Sequence, residues 1–227
     1  MFRRAHHRRI VGLLSSMNAA FLAETQCCFG GGTCAALLLG EYRESVDMGF
    51  LCSHAPGDRD LRNTVTNLSL GELFLTPPTL LREVRADRYG IRTILAVEDV
   101  PIKFEIVLEG RVSLQCESVA LLPVPILDRA SQMVEKLLAN SDRSADRSVC
   151  ARDLIDLTMM IEHWGEPGAE VWERAEGAYG PAVRADLEKA RKVFQEDPGF
   201  LDACLARLDV SRDAQALIRR RFAGVGE

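Results

Sequence analysis

Three consecutive glycines, Gly30, Gly31 and Gly32, stop a short apolar run and open an apolar segment. The run at residues 27–29 predicts a buried strand, and residues 33–39 predict a short helix, with Thr33 as its cap and Gly40 at its end. Backbone N–H groups in such a turn, helped by the helix dipole, favour a bound phosphate. The signal is weak alone, because glycine runs are usually plain turns and this one matches neither the P-loop nor the dinucleotide fingerprint.

Alternating hydrophobicity predicts the strands of a sheet. In residues 45–52 the apolar residues Val46, Met48 and Phe50 fall on every second position, which is typical of a strand with one buried face. Residues 91–97 and 101–108 predict two more strands joined by a polar turn, and residues 112–117 predict a third. Helical periodicity predicts a helix at residues 7–24. Residues 68–74 predict a short helix closed by Pro77-Pro78, and the polar residues 58–63 predict a loop.

Helical patterns dominate after residue 127. They cover residues 127–140, 149–163, 171–194 with a break at Gly180-Pro181, and 200–222. A helix, then a mixed sheet, then a run of helices indicates an α+β fold, in which a small mixed sheet flanked by helices precedes a helical region. The expected division is residues 1–126 for the core and 127–227 for the helical region and tail.

Composition limits the functional classes. The net charge of −5 over 227 residues provides no overall positive field, so any nucleic acid contact must come from a local patch. The seven cysteines form no CxxC pair and do not space with the histidines as a zinc site requires, which favours reduced, buried thiols in a cytoplasmic protein. The basic residues 1–9 are interpreted as the start of a surface helix, because Ser15 and Ser16 interrupt the apolar stretch that a signal peptide or membrane span needs.

Two strand residues carry carboxylates near the glycine turn. Asp47 lies on the less apolar face of its strand, and Glu105 lies on another strand with Lys103 on the same face. Acids on neighbouring strands can bind Mg²⁺, which prefers oxygen ligands, and the metal would bridge a triphosphate. The alternative for Asp47 alone is a solvated carboxylate on an edge strand.

A second group of charged residues belongs to the helices. Asp153 and Asp156 are three residues apart, so they face the same way on a helix. Lys136 and Arg152 are suited to contact phosphate oxygens. Ordinary surface charge is a serious alternative, because 27% of the residues are charged.

In this order, these segments resemble the AbiEii/AbiGii toxin family of nucleotidyltransferases, within the DNA polymerase β-like superfamily. The resembling segments are Phe-Gly-Gly-Gly-Thr at 29–33, Tyr-Arg-Glu-Ser-Val-Asp-Met-Gly-Phe-Leu at 42–51, Pro-Ile-Lys-Phe-Glu-Ile at 101–106, Glu-Lys-Leu-Leu-Ala-Asn-Ser-Asp-Arg at 135–143, and Ser-Val-Cys-Ala-Arg-Asp-Leu-Ile-Asp-Leu at 148–157. Together they span roughly the first two-thirds of the chain.

The resemblance implies a role for each matching residue. Catalytic roles fall on Asp47, Glu105 and Lys136, and the metal ligands are Asp47 and Glu105. Nucleotide binding falls on Gly31, Gly32, Thr33, Ser45, Lys136, Arg152, Asp153 and Asp156. The implied cofactor is Mg²⁺, as one or two ions, and the implied substrate is a nucleoside triphosphate. The implied partners are an acceptor such as tRNA or another RNA and a separately encoded antitoxin, in a system that stalls growth or aborts phage infection, with no membrane partner.

The chain departs from the family pattern at one position. The second acid of the family's Asp-x-Asp pair falls at Gly49, which supplies no ligand. Three hypotheses follow: an active nucleotidyltransferase, a nucleotide-binding protein with weakened or no turnover, and an interaction protein that uses the charged helices after Val171.

Overall fold

The computed structural model describes residues 2–144, 146–149 and 151–223, so Cys150 lies outside the described residues. The chain forms two compact units. The first contains Met1–Cys34 and Ser45–Asp128, and the second contains Ala35–Glu44 and Arg129–Glu227. A mixed sheet and many helices confirm the predicted α+β class.

A mixed sheet organises the first unit. Its helices are α1 (Ala5–Ser15), α2 (Ala19–Glu24) and α4 (Ala55–Thr64), together with the first residues of α3, a helix that spans Gly31–Leu38. Its strands are β1 (Cys27–Gly30), β2 (Met48–Cys52), β3 (Thr79–Leu80), β4 (Arg85–Asp87), β5 (Gly90–Val97), β6 (Val100–Leu108), β7 (Cys116–Glu117) and β8 (Ile126–Leu127). The strand order is β3-β5-β6-β2-β1-β8-β7, with β4 beside β5. The pairs β2–β6 and β1–β8 are parallel and the others are antiparallel.

Aromatic rings fill the buried face of this sheet. The ring centroids of Phe29 and Phe50 are 5.3 Å apart, and those of Phe50 and Phe104 are 5.9 Å apart. All three side chains are fully buried. Side chains alternate across a strand, so the residues next to each phenylalanine in its strand point to the opposite face of the sheet. The charged residues Lys103 and Glu105 of β6 lie on that face.

Several local predictions differ from the structure. Residues 58–63, predicted as a loop, belong to α4, whose start is capped by the ring of His54 accepting from the Gly57 N–H, with Pro56 in the first turn. Residues 7–24 form α1 and α2 rather than one helix, because Asn18 caps a new start by accepting from the Phe21 N–H. Residues 68–74 form only a 3-10 turn at Gly71–Leu73.

The second unit is helical. It contains the end of α3, then α5 (Arg129–Arg143), α6 (Arg152–Trp164), α7 (Ala169–Tyr179), α8 (Ala182–Glu196), α9 (Pro198–Arg207) and α10 (Arg212–Phe222), with a 3-10 turn at Arg147–Val149. Phe194 of α8 and Phe222 of α10 pack edge to face in its core, with ring centroids 5.1 Å apart. Within the described residues, no helix is long and apolar enough to cross a membrane.

The cysteines differ in part from expectation. Cys27, Cys34 and Cys52 are buried free thiols, as predicted, and Cys204 is buried as well. Cys28 and Cys116 are instead joined in a disulfide, with their Cα atoms 5.8 Å apart. The two residues are 88 positions apart in the chain and lie on β1 and β7, two strands of the same sheet that have β8 between them. Sequence spacing alone does not reveal a pairing of this kind.

Candidate functional site

The glycine turn joins β1 directly to α3. Gly31 has φ +73°, a conformation that glycine adopts without strain. Gly30 is restricted by space instead, because an added Cβ would lie 2.7 Å from Cδ1 of Leu127 and 2.8 Å from Cδ1 of Leu51. Gly31 and Gly32 are half-buried and form the first turn of α3. The strand, turn and helix therefore follow one another as predicted, although α3 begins at Gly31 and Thr33 lies inside its first turn.

A row of paired residues runs across the sheet from this turn. Gly30 pairs with Gly49, Gly49 with Glu105, and Glu105 with Arg92. Directly paired residues share a face, and adjacent strands lie about 4.8 Å apart. Glu105 is therefore two strands away from the glycine turn, and Gly49 lies between them.

Asp47 immediately precedes β2, so the prediction that it belongs to the strand is wrong by one residue. Its side chain is exposed, and its carbonyl oxygen accepts a hydrogen bond from the Thr33 hydroxyl. Asp47 is two residues before Gly49 in the chain and immediately before the first residue of β2. The structure thus brings the start of α3 and the Asp47 backbone into direct contact.

Glu105 is engaged by cations on the same face of the sheet. Its carboxylate lies 2.7 Å from Nζ of Lys103 and 3.7 Å from Nε of Arg92, and 28% of the side chain is exposed. Among the described residues, no group of three or more His, Cys, Asp or Glu side chains forms a ready cluster for a metal ion. Two carboxylates can nevertheless hold one Mg²⁺, which commonly takes one or two protein carboxylates and completes its shell with phosphates and water. The carboxylates of Asp47 and Glu105 fit one Mg²⁺ ion better than two, because Gly49 contributes no oxygen ligand.

Ser45 belongs to a hydrogen-bonded network around Asp47. Its hydroxyl lies 2.8 Å from Oγ1 of Thr33, and its backbone N–H donates to Nε2 of His7 at 3.2 Å. Thr33 and His7 are both buried. Sequence reasoning included Thr33 and Ser45 but missed His7, whose partner is 38 residues away.

In the second unit, Asp156 is fully buried, and three side chains contact its carboxylate. Arg43 contacts both carboxylate oxygens, at 2.6 and 2.9 Å. The Tyr42 hydroxyl donates to Oδ1 at 2.5 Å, and Nζ of Lys136 lies 2.6 Å from Oδ2. A buried carboxylate with this many donors keeps its charge.

Lys136 also reaches Asp153, so one ammonium group bridges both acids of α6. Its Nζ is 2.9 Å from Oδ1 of Asp153, whose other oxygen accepts from Nε and Nη2 of Arg143 at 3.0 and 2.7 Å. The predicted residues Lys136, Asp153 and Asp156 are therefore in direct contact. Arg152 is half-buried, and within the described residues no ion pair is found for it.

These ion pairs form the helical cluster, which consists of Arg43, Lys136, Arg143, Asp153 and Asp156. Its charges shift the pKa values of its acidic members and of Tyr42. Burial alone would raise the pKa of Asp156, but Arg43 and Lys136 outweigh burial and hold the pKa far below its usual range. The same balance, with Lys136 and Arg143 as the cations, lowers the pKa of Asp153. Burial raises the pKa of Tyr42 well above its ordinary value, and the adjacent Asp156 carboxylate adds to that effect.

Tyr42 and Arg43 were missed as functional candidates although both lie in a segment that resembles the family. A general rule predicts that such partners exist, because a buried aspartate requires cationic or hydrogen-bonding groups around it. The sequence does not indicate which of its many arginines supplies them.

One known protein family matches most of this chain. Residues 12–223 match the family profile described as nucleotidyl transferase AbiEii toxin, type IV toxin–antitoxin system. The match includes the glycine turn, Asp47, Glu105 and the helical cluster. The comparison with curated proteins found no significant match.

Solved structures provide a second comparison. JHP933 from Helicobacter pylori is similar with a TM-score of 0.51 and 18% identity, over 96% of this chain and 88% of that one. An antigenic nucleotidyltransferase-like protein from Paracoccidioides brasiliensis has a TM-score of 0.49 and 13% identity, over 86% of this chain and 93% of that one. At this identity the likeness to JHP933 concerns the fold alone.

Proposed function

Because the chain belongs to the AbiEii nucleotidyltransferase toxin family, we propose that it transfers a nucleotidyl group from a nucleoside triphosphate to an RNA acceptor, with the end of tRNA as the first candidate. The observation that carries this proposal is the row in which Gly30, Gly49 and Glu105 share one face of the sheet. Asp47 lies two residues before Gly49, where the chain enters β2.

Asp47 and Glu105 are the residues proposed to hold Mg²⁺. When bound, the ion neutralises charge on the triphosphate and supports displacement at the α-phosphorus. Lys103 and Arg92 already contact Glu105, so a cation at this carboxylate competes with two protein cations. With Gly49 in place of a third acid, weak magnesium binding is expected.

The glycine turn is proposed to bind phosphate. The backbone N–H groups of Gly31 and Gly32 open α3, where the helix dipole favours an anion. An acceptor hydroxyl oxygen then bonds to the α-phosphorus, the bond from that phosphorus to its bridging oxygen breaks, and pyrophosphate leaves. The acceptor proton passes to solvent or to a nearby base.

The helical cluster is proposed to act chiefly by holding its own elements together. Lys136 is enclosed by two carboxylates, and Arg43 attaches the segment before Ser45 to α6 through Asp156. The phosphate-binding role assigned to Lys136 stays a prediction. The phosphate-binding role assigned to Arg152 likewise stays a prediction.

A second candidate function is nucleotide binding without turnover. It is favoured by Gly49, which removes an oxygen ligand from the row next to Glu105. The family assignment also suggests an antitoxin as a protein partner. We propose the cytoplasm as the location, because triphosphates and tRNA are found there.

The test is label transfer from each of the four α-³²P-labelled ribonucleoside triphosphates to total tRNA, with and without Mg²⁺. Asp47→Asn and Glu105→Gln remove one proposed ligand each at nearly constant volume. Lys189→Gln is a matched control on α8, since the Lys189 side chain is 75% exposed. Transfer should require Mg²⁺, fall at least about a hundredfold in the two site variants and stay constant in the control.

A thermal-shift measurement with the same triphosphates separates the two candidates. Binding at one hundred times the dissociation constant stabilises the protein by about 2.7 kcal/mol, which is a readable shift. Magnesium-dependent stabilisation without transfer supports the binding protein. Neither transfer nor stabilisation by any triphosphate contradicts both.

A further inference from the structure

Two adjacent histidines of α1 contact consecutive residues in the segment that leads to Asp47. Nε2 of His6 lies 3.0 Å from the carbonyl oxygen of Val46, and Nε2 of His7 lies 3.2 Å from the backbone N of Ser45. These partners are 40 and 38 residues away in sequence. Both contacts lie within the first compact unit.

The two rings have opposite hydrogen-bonding roles. A carbonyl oxygen only accepts, so Nε2 of His6 carries a hydrogen and donates it. A backbone N–H only donates, so Nε2 of His7 must present its lone pair to Ser45. His7 is fully buried, so water does not readily replace this acceptor.

The hydrogen bonds continue from Ser45 through Thr33 to Asp47, and the donor in each of them can be assigned. The Thr33 hydroxyl donates its single proton to the Asp47 carbonyl, so Ser45 is the donor in its contact with Oγ1 of Thr33. Ser45 therefore donates its N–H to His7 and its hydroxyl to Thr33. The backbone around Asp47 is held from α1 on one side and from the first turn of α3 on the other.

We propose that His7 is a positioning residue for the nucleotide site: it accepts the Ser45 N–H and thereby fixes the Asp47 backbone beside the glycine turn. This role rests on the proposed function, because it matters only if Asp47 binds a metal–triphosphate complex. His7 touches neither the substrate nor the metal. It acts through Ser45 and Thr33.

Three variants test the proposal in the full chain. His7→Leu removes the acceptor at similar volume, and His7→Gln keeps an oxygen able to accept the same N–H. Ile10→Val is the matched control, because Ile10 is a fully buried residue of the same helix without a polar group. It reports the effect of a small loss of α1 packing alone.

Hydrogen exchange of the Ser45 amide tests the contact without any ligand. In His7→Leu we expect exchange about tenfold faster than in the wild type, with the amides of β2 and β6 unchanged. His7→Gln and Ile10→Val should stay within about twofold of the wild type. The ¹⁵N shift of His7 should identify Nε2 as the unprotonated nitrogen.

Titration with ATP, GTP, CTP and UTP in the presence of Mg²⁺ tests the functional consequence. His7→Leu should weaken binding of the preferred triphosphate about tenfold, and His7→Gln should restore most of that loss. An unchanged Ser45 exchange rate, or faster exchange with unchanged affinity, would overturn the positioning role. If the wild type binds no triphosphate and transfers no label, the proposed function fails, whereas the exchange data still decide whether His7 holds Ser45.

Discussion

Gly49 lies directly opposite Glu105 in the parallel pairing of β2 with β6. A Cβ added at Gly49 would meet only the Gly30 carbonyl oxygen, at 4.0 Å, and its φ lies outside the left-handed region. Neither backbone conformation nor space requires glycine at this position. A carboxylate can therefore be introduced at this position by a single substitution without a steric clash or backbone strain.

Gly49→Asp should increase Mg²⁺-dependent triphosphate affinity about tenfold, because it adds an oxygen ligand beside Glu105. Label transfer to tRNA should increase with it. The measurement is a titration with the preferred triphosphate at fixed Mg²⁺, followed by the transfer assay. Gly49→Asn is the control of nearly equal shape without a negative charge. Equal behaviour of the two variants would show that this position is not a metal ligand.

Asp156→Asn should destabilise the protein by about 3–5 kcal/mol, because it leaves the buried Arg43 charge without its counter-charge and Lys136 with Asp153 alone. Urea unfolding followed by circular dichroism measures the change. Lys189→Gln breaks a surface pair and should stay within about 0.5 kcal/mol of the wild type. A loss below about 1 kcal/mol for Asp156→Asn would mean that the network contributes little to stability.

Acid should destabilise the wild type through the same cluster. The folded-state pKa values of Asp153 and Asp156 are both lowered, so their stabilisation is fully present above the unfolded value of about 3.9. This stabilisation is lost as the pH falls through the pKa values that the two carboxyl groups have in the folded protein. The free energy of unfolding should therefore decrease below about pH 4, and Asp156→Asn should show a smaller decrease over the same window. Parallel curves for the two proteins would contradict this assignment.

Reduction of the Cys28–Cys116 bond should lower the free energy of unfolding by about 2–4 kcal/mol, since the bond closes a long loop in the unfolded chain. Urea titrations with and without dithiothreitol measure the difference. Cys116→Ser should match the reduced wild type and lose its sensitivity to the reductant. Alkylation under denaturing conditions should find two more thiols after reduction than before. Equal thiol counts would show that the bond does not form in solution.

Local patterns predicted the elements that depend on short-range chemistry. The run 27–29 with its glycines became β1 and the start of α3, and the alternation around Ile102 and Phe104 became β6. The polar segment 58–63 was assigned wrongly because its helix start depends on the ring of His54, which is an uncommon cap. Asp153 and Asp156 are buried, which contradicts the alternative that they are ordinary surface charge. The cations that compensate them come from α5 and from residue 43.

By itself, the sequence determined the order of strand, glycine turn and helix, the α+β class and the family, because these depend on side-chain periodicity and on residues close together in the chain. Only the tertiary structure decided that Gly30, Gly49 and Glu105 form one row, that His7 accepts the Ser45 N–H, and that Arg43 neutralises Asp156. Each of these contacts joins distant parts of the chain. Strand register and buried charge pairing are set by packing of the whole unit, which no local pattern encodes.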